Sequence, residues 1–181
     1  MRRSTNFRSV LYFMEAATVA LVFLSSIQSW YEVMRFFLAG IMQGSHVGSL
    51  VHRQDYRTQL KEILLRHFPG ADIYDPWADH SGSLEYTDDL GRDVFLKHNA
   101  MCGEVDVVVA YIPEASMGTA IEIWEAYRAG KVVLMISPLK HNWAVKFLSD
   151  EIYATMEDFL RELELGHVAQ KIAAAQLAKR G

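Results

Sequence analysis

Glu122 and Ser116 are the residues of this chain whose types and spacing can do chemistry together. The run Ser116-Met117-Gly118-Thr119 puts a hydroxyl side chain and a glycine where a helix begins, and Glu122 falls one turn into that helix. A carboxylate in such a place suits attack on the anomeric carbon of a sugar, because a nearby negative charge stabilises the oxocarbenium-like transition state. The positive end of the helix favours the ionised form. The amides after Ser116 make an anion-friendly nest for a phosphate or for sugar hydroxyls. Each residue also has a plainer role. Glu122 fits a solvent face shared with Glu125 and Arg128, which can pair at i,i+3, and Ser116 fits a simple N-cap. Spacing alone does not separate the two.

The elements around these residues decide what they face. Val105 to Ser137 reads as strand, small-residue turn, helix, glycine stop and strand. Val107, Val108 and Val109 form a β-branched run typical of a strand buried on both faces, Gly130 ends the helix, and Lys131 to Ile136 supplies the next strand. Upstream, Met34 to Gly40 is a first strand that runs into the glycine-bounded loop Gly40-Ile41-Met42-Gln43-Gly44-Ser45, where backbone can approach a ligand closely. A helix is predicted over about Leu50 to His67, a short strand over Ala71 to Asp75, and a second helix over Arg92 to Met101. Between them, Trp77 to Asp89 reads as a polar loop, either a lid or binding segment or a solvated excursion. Beyond Ile136 come the loop from Ser137 to Trp143, a helix over about Ala144 to Leu148, a strand near Ile152-Tyr153, and helices over Met156–Leu165 and Val168–Lys179.

Five strands separated by helices predict an α/β fold: a flavodoxin-like parallel sheet of order 2-1-3-4-5, sandwiched by helices. That order brings the ends of strands one and three together. Gly40, Ile41, Gln43 and Gly44 would then share a pocket with Ser116, Met117, Gly118 and Glu122. Asp75 and Trp77, at the end of the second strand, are further candidates for substrate contact.

Composition narrows the function classes. Lys+Arg 18 against Asp+Glu 22, a net charge of −4, argues against a nucleic-acid backbone binder. The single Cys102 precludes an intrachain disulfide and fits a reducing, cytoplasmic setting, as an inert core thiol. No CxxC, HExxH or His/Cys cluster at metal spacing occurs, so no metal or cofactor is expected.

Residues 1–33 differ from the rest. Arg2, Arg3 and Arg8 precede an apolar run from Val10 to Leu24 that contains Glu15 and Thr18. The run is short for a membrane span, and a charge at mid-bilayer costs ~2.5–3.5 kcal/mol on insertion scales. Ser25 to Ser29 makes a poor signal-cleavage site. The expectation is a domain over 34–181 that begins at Met34, preceded by a hydrophobic helical extension that is optional or a misassigned start. Membrane contact is expected only if that extension is real and anchors the chain through residues 10–28.

From Met34 to about Leu163 the chain resembles the nucleoside 2-deoxyribosyltransferase-like superfamily. The segments that carry the resemblance are FFLAGIMQG and VDVVVAYIPEASMGTAIEIWEAYRAGKVVLMISP. The resemblance implies that Glu122 is the nucleophile of a glycosyl-enzyme mechanism. Two positions before the motif glycine, transferases carry an aspartate that helps bind the sugar. Ser116 stands there instead, as in the nucleotide N-hydrolase branch, where the serine contacts phosphate. Phe37 stands where that branch has a tyrosine, and Gln43 where an arginine helps hold phosphate. The register of the acid/base aspartate lands on His98, which either transfers a proton near neutral pH or is an exposed helix histidine. Asn142 and Trp143 follow the fourth strand, where family members contribute groups across a dimer; Trp143 would stack on a base or pack at a subunit interface. A homodimer or higher homo-oligomer is implied.

Two function classes follow. One is an enzyme of N-glycosidic bonds, acting on a nucleoside or nucleoside monophosphate through Glu122 and His98, with hydrolysis favoured over base exchange by Ser116. The other is a non-catalytic nucleotide-sensing module on the same scaffold. Glycohydrolysis of a dinucleotide such as NAD is a variant of the first.

Overall fold

The computed structural model describes residues 34–42 and 52–180 of the chain. Its centre is a five-stranded parallel sheet of β1 (Arg35–Gly40), β2 (Asp72–Tyr74), β3 (Val107–Tyr111), β4 (Val132–Ile136) and β5 (Glu151–Tyr153). The order is β2-β1-β3-β4-β5, as the alternation of elements predicted. Phe36 pairs with Val107 and Gly40 with Tyr111, so β1 and β3 end side by side.

Alternate residues of the strands feed two cores, which is why the apolar runs are continuous. Phe36, Leu38, Val107, Val109, Leu134 and Ile136 face one side, where they meet Leu60 and Leu64 of α1 (Asp55–His67), Phe159 and Leu163 of α6 (Met156–Glu164), and Val168 and Ile172 of α7 (His167–Arg180). Phe37, Ala39, Val108, Ala110, Val133 and Met135 face the other. They meet Cys102 of α3 (Asp88–Cys102), Ile123 and Ala126 of α4 (Met117–Arg128), and Val145 of α5 (Trp143–Leu148). Both faces are covered, as parallel sheets require. Gly130, at φ 68°, takes the left-handed conformation that stops α4 and releases the chain into β4.

The stretch from Trp77 to Asp89 departs from the expected loop. Asp75 accepts the Trp77 N–H at 3.0 Å with Pro76 in the first helical position, so a short helix, α2 (Pro76–His80), forms at once. A 3-10 turn follows over Ser83–Glu85, and Thr87 then caps α3 by accepting the Leu90 N–H. The second long helix therefore starts at Asp88, ahead of the expected Arg92. No helix among the described residues is long and apolar enough to cross a membrane. The apolar run of residues 1–33 lies outside the described residues, as does the expected helix start at Leu50; α1 itself begins at Asp55, and residues 52–54 before it are not helical.

Candidate active site

A cavity of about 410 Å³ opens at the carboxyl ends of β1 and β3, the switch point where open α/β sheets place ligands. One wall is the start of α4, with Ser116, Met117, Gly118, Thr119 and Glu122; Gly40 and Met42 come from the end of β1 and its loop. The remaining wall is built by α2, the 3-10 turn and α3, and includes Trp77, His80, Leu84, Tyr86, Phe95 and His98. The segment that reads as a polar loop in the sequence is therefore a binding wall.

Glu122 is 8% exposed and borders this cavity. Its carboxyl makes no hydrogen bond or ion pair to any other described residue. Burial pushes its pKa up to about 8, and the nearby Arg57 charge pulls the other way. This corrects two expectations. Glu122 does not sit on a solvent face, and the carboxyl is not held ionised, because desolvation outweighs the Arg57 charge. Glu125 and Arg128 do form the expected surface pair.

Arg57 is the residue that sequence reading missed. It is 1% exposed and its guanidinium makes four hydrogen bonds. Nη1 donates to the Leu38 carbonyl at 2.7 Å and to Asp75 at 3.1 Å, Nη2 donates to the Gly40 carbonyl at 3.1 Å, and Nε donates to Gln54 at 2.6 Å. β2 pairs only with Arg35 to Phe37, so the end of β1 has no strand beside it on that flank. Arg57 supplies the missing donors and at the same time puts a fixed positive charge under the cavity. Only its polar neighbours in three dimensions could have revealed this, since Arg57 in sequence is one more cation on an amphipathic helix.

Tyr56 lies next to Arg57 with its ring 4.4 Å from that of Tyr111. A Cβ at Gly40 would press on the Tyr56 hydroxyl and approach the Tyr111 carbonyl, so glycine at the end of β1 leaves room for both. That hydroxyl is buried without a hydrogen-bond partner among the described residues. Burial raises its pKa, with Arg57 opposing and Asp75, Glu122 and Tyr111 adding, so it stays a neutral donor.

On the α2–α3 wall His98 is buried rather than exposed. Its Nε2 lies 3.0 Å from the Tyr74 hydroxyl, and its ring meets Phe37 and His80. Phe37 packs its ring on Tyr74 and His98. Burial lowers the His98 pKa to about 4, with His80 and Lys97 adding and Asp79 opposing. The Cys102 thiol is buried at the end of α3, and burial keeps it protonated.

Of the residues singled out in sequence, Gly40, Trp77, His98, Ser116, Met117, Gly118 and Glu122 come together around this one cavity. Ser116 caps α4, accepting the Thr119 N–H at 3.3 Å, and lies within 3.0 Å of the Thr119 hydroxyl. A Cβ at Gly118 would meet nothing within 4 Å, so the backbone there is open to a ligand. Asn142 lines a second cavity of about 430 Å³, which meets the first at Ser116 and Met117, and its Oδ1 caps α5. Trp143 is 78% exposed and borders neither cavity. Ile41 is in the core with its N–H on the Tyr111 carbonyl, and Asp75 is held by Arg57 below the cavity. Gln43 and Gly44 lie outside the described residues. His80 and Tyr86 join the site although only their place in a polar stretch was visible in the sequence.

No family model matches the chain, and no curated protein matches it. Solved structures do. A 2-deoxyribosyltransferase from the psychrotolerant bacterium Bacillus psychrosaccharolyticus superposes with a TM-score of 0.52 at 16% identity, covering 70% of this chain and 90% of that one. A conserved protein from Enterococcus faecalis gives 0.49 at 18% identity over 74% and 99% of the two chains. The CMP N-glycosidase BcmB of Clostridium botulinum gives 0.45 at 20% identity over 72% and 98%. The first of these shows the fold: the chain is built on the same five-stranded scaffold as a 2-deoxyribosyltransferase.

Proposed function

We propose that this protein cleaves the N-glycosidic bond of a nucleoside or nucleoside monophosphate, with Glu122 as the nucleophile. The observation that carries this reading is the buried, unpaired carboxyl of Glu122 at the switch-point cavity. A fold does not keep such a group for stability, because burying it without a partner is costly. The scaffold shared with a 2-deoxyribosyltransferase supports the same chemistry.

In this mechanism the ionised Glu122 oxygen bonds to the anomeric carbon while the bond to the base nitrogen breaks. Arg57 below the cavity favours the ionised form, and the water-poor site leaves the carboxylate little solvation to shed. Ser116 and the start of α4 hold the sugar or its phosphate, and Trp77 with the α2–α3 wall takes the base. Water then displaces Glu122. Serine at position 116, in place of the transferase aspartate, favours water over a second base as the acceptor. Glu122→Ala should reduce base release from a nucleoside and nucleoside monophosphate panel by ~10³-fold or more, measured by chromatography, with the far-UV spectrum unchanged. Full activity in that variant ends the proposal.

A second reading is binding without turnover, and the protonated resting state of Glu122 favours it. In that case the same panel raises the melting temperature and releases no base. Self-association through an exposed face is part of the reading in either case.

A further inference from the structure

The α2–α3 wall carries two imidazoles that the reaction above leaves without separate roles. His80 and His98 face each other edge to face, ring centroids 5.0 Å apart, and both border the cavity. Each ring has one nitrogen committed. His98 Nε2 is 3.0 Å from the Tyr74 hydroxyl, and His80 Nδ1 is 2.9 Å from the Tyr86 hydroxyl. The opposite nitrogens, Nδ1 of His98 and Nε2 of His80, have no hydrogen-bond partner among the described residues.

The surroundings separate the two. His98 is buried among Phe37, Tyr74 and His80 and is neutral through the physiological range. His80 is half-buried at the cavity, with Tyr86 on one side, His98 on another, and Asp79 beside it on α2. Of the two rings, His80 is the less buried. With its Nδ1 engaged by the Tyr86 hydroxyl, Nε2 is the ring atom left to exchange a proton.

Resting on the glycosidase reading, we propose that His80 is the catalytic acid and base, acting through Nε2, and that His98 is a positioning residue. As Glu122 bonds to the anomeric carbon, the carbon–nitrogen bond breaks, its electron pair goes to the base, and the proton on His80 Nε2 goes with it. Water then bonds to the anomeric carbon, the ester bond to Glu122 breaks, the electrons return to the carboxylate, and the water proton returns to Nε2. The sum is glycoside plus water giving free sugar and free base. The sequence register alone points to His98 for this role; the cavity geometry moves it one element away.

The test compares two leaving groups in His80→Gln. On a nucleoside or nucleoside monophosphate, whose base needs a proton, kcat should fall by ~10²–10⁴-fold. On 4-nitrophenyl riboside, whose nitrophenolate departs without one, the loss should be under ~10-fold. His98→Gln should lower both substrates alike, as expected of a group that positions. Should His80→Gln fail to fold, Tyr86→Phe removes only the hydroxyl that fixes Nδ1 and should give a smaller loss with the same dependence on leaving group. Equal losses on both substrates, or none on the nucleosides, would overturn the assignment of His80 and leave the glycosidase reading standing. Wild-type protein that cleaves neither substrate would overturn both.

Discussion

A carboxyl group that is buried and unpaired holds its proton, and this sets how Glu122 responds to pH. Its folded-state pKa of about 8 lies above the ordinary 4.5, so the folded protein binds this proton more tightly than the unfolded chain. The associated stability is fully present below about pH 4.5 and is lost as pH rises through about 8. At ~1.4 kcal/mol per pKa unit the loss is at most ~5 kcal/mol. Glu122→Gln, which carries no charge to bury, should match the wild type near pH 4 and exceed it by several degrees in melting temperature at pH 8. Equal melting temperatures at both values would mean that the folded carboxylate is already solvated. In the proposed mechanism the ionised form attacks, so Glu122 contributes to kcat/KM a limb that rises with pH towards about 8, on which the need for a proton on His80 is superimposed. His98 has the opposite sign. Its pKa lies below the ordinary 6.5, so its contribution is present above 6.5 and is lost as pH falls towards 4.

At the scale of elements, the site depends on a strand that stops early. β2 has three residues, and the unpaired end of β1 is completed by the Arg57 guanidinium, itself neutralised by Asp75. Asp75 also caps α2, so one carboxylate ties the charge under the cavity to the helix that forms its wall. Asp75→Asn leaves Arg57 buried without its anion and should destabilise the protein by ~3–5 kcal/mol, read by urea unfolding. With Arg57 no longer shared, Glu122 should ionise more easily, and the activity limb should move to lower pH. A variant with wild-type stability and an unmoved limb would show that Arg57 and Glu122 are uncoupled.

For the molecule as a whole, the sheet separates two cores and leaves one functional edge. Next to that edge, α4 exposes Met117, Ile121, Trp124 and Tyr127, and α5 exposes Trp143 and Phe147. Trp124 stacks on Tyr127, and Trp143 meets Phe147 edge to face. A band of this kind suits a second copy of the chain. Sedimentation should show a dimer or larger species, and Trp124→Glu should shift it towards monomer without unfolding it. A monomeric wild type at micromolar concentration removes this expectation.

The parallel sheet, its strand order and the meeting of the Gly40 and Ser116 segments were legible in the sequence, because strands buried on both faces must be apolar throughout and the crossover rules leave few topologies. The position of Glu122 at that edge followed from the same periodicity. What the sequence could not carry was environment. Whether Glu122 is ionised depends on how much water the α2–α3 wall excludes, and that wall forms from a polar stretch in which Asp75 and Thr87 cap the two helices. Arg57 and His80 are ordinary surface residue types until folding brings them against carbonyls, rings and a cavity far away along the chain. Local patterning decided where the catalytic candidate stands. Only tertiary packing decided its protonation and its partners, because desolvation and through-space charge act between residues that are distant in sequence.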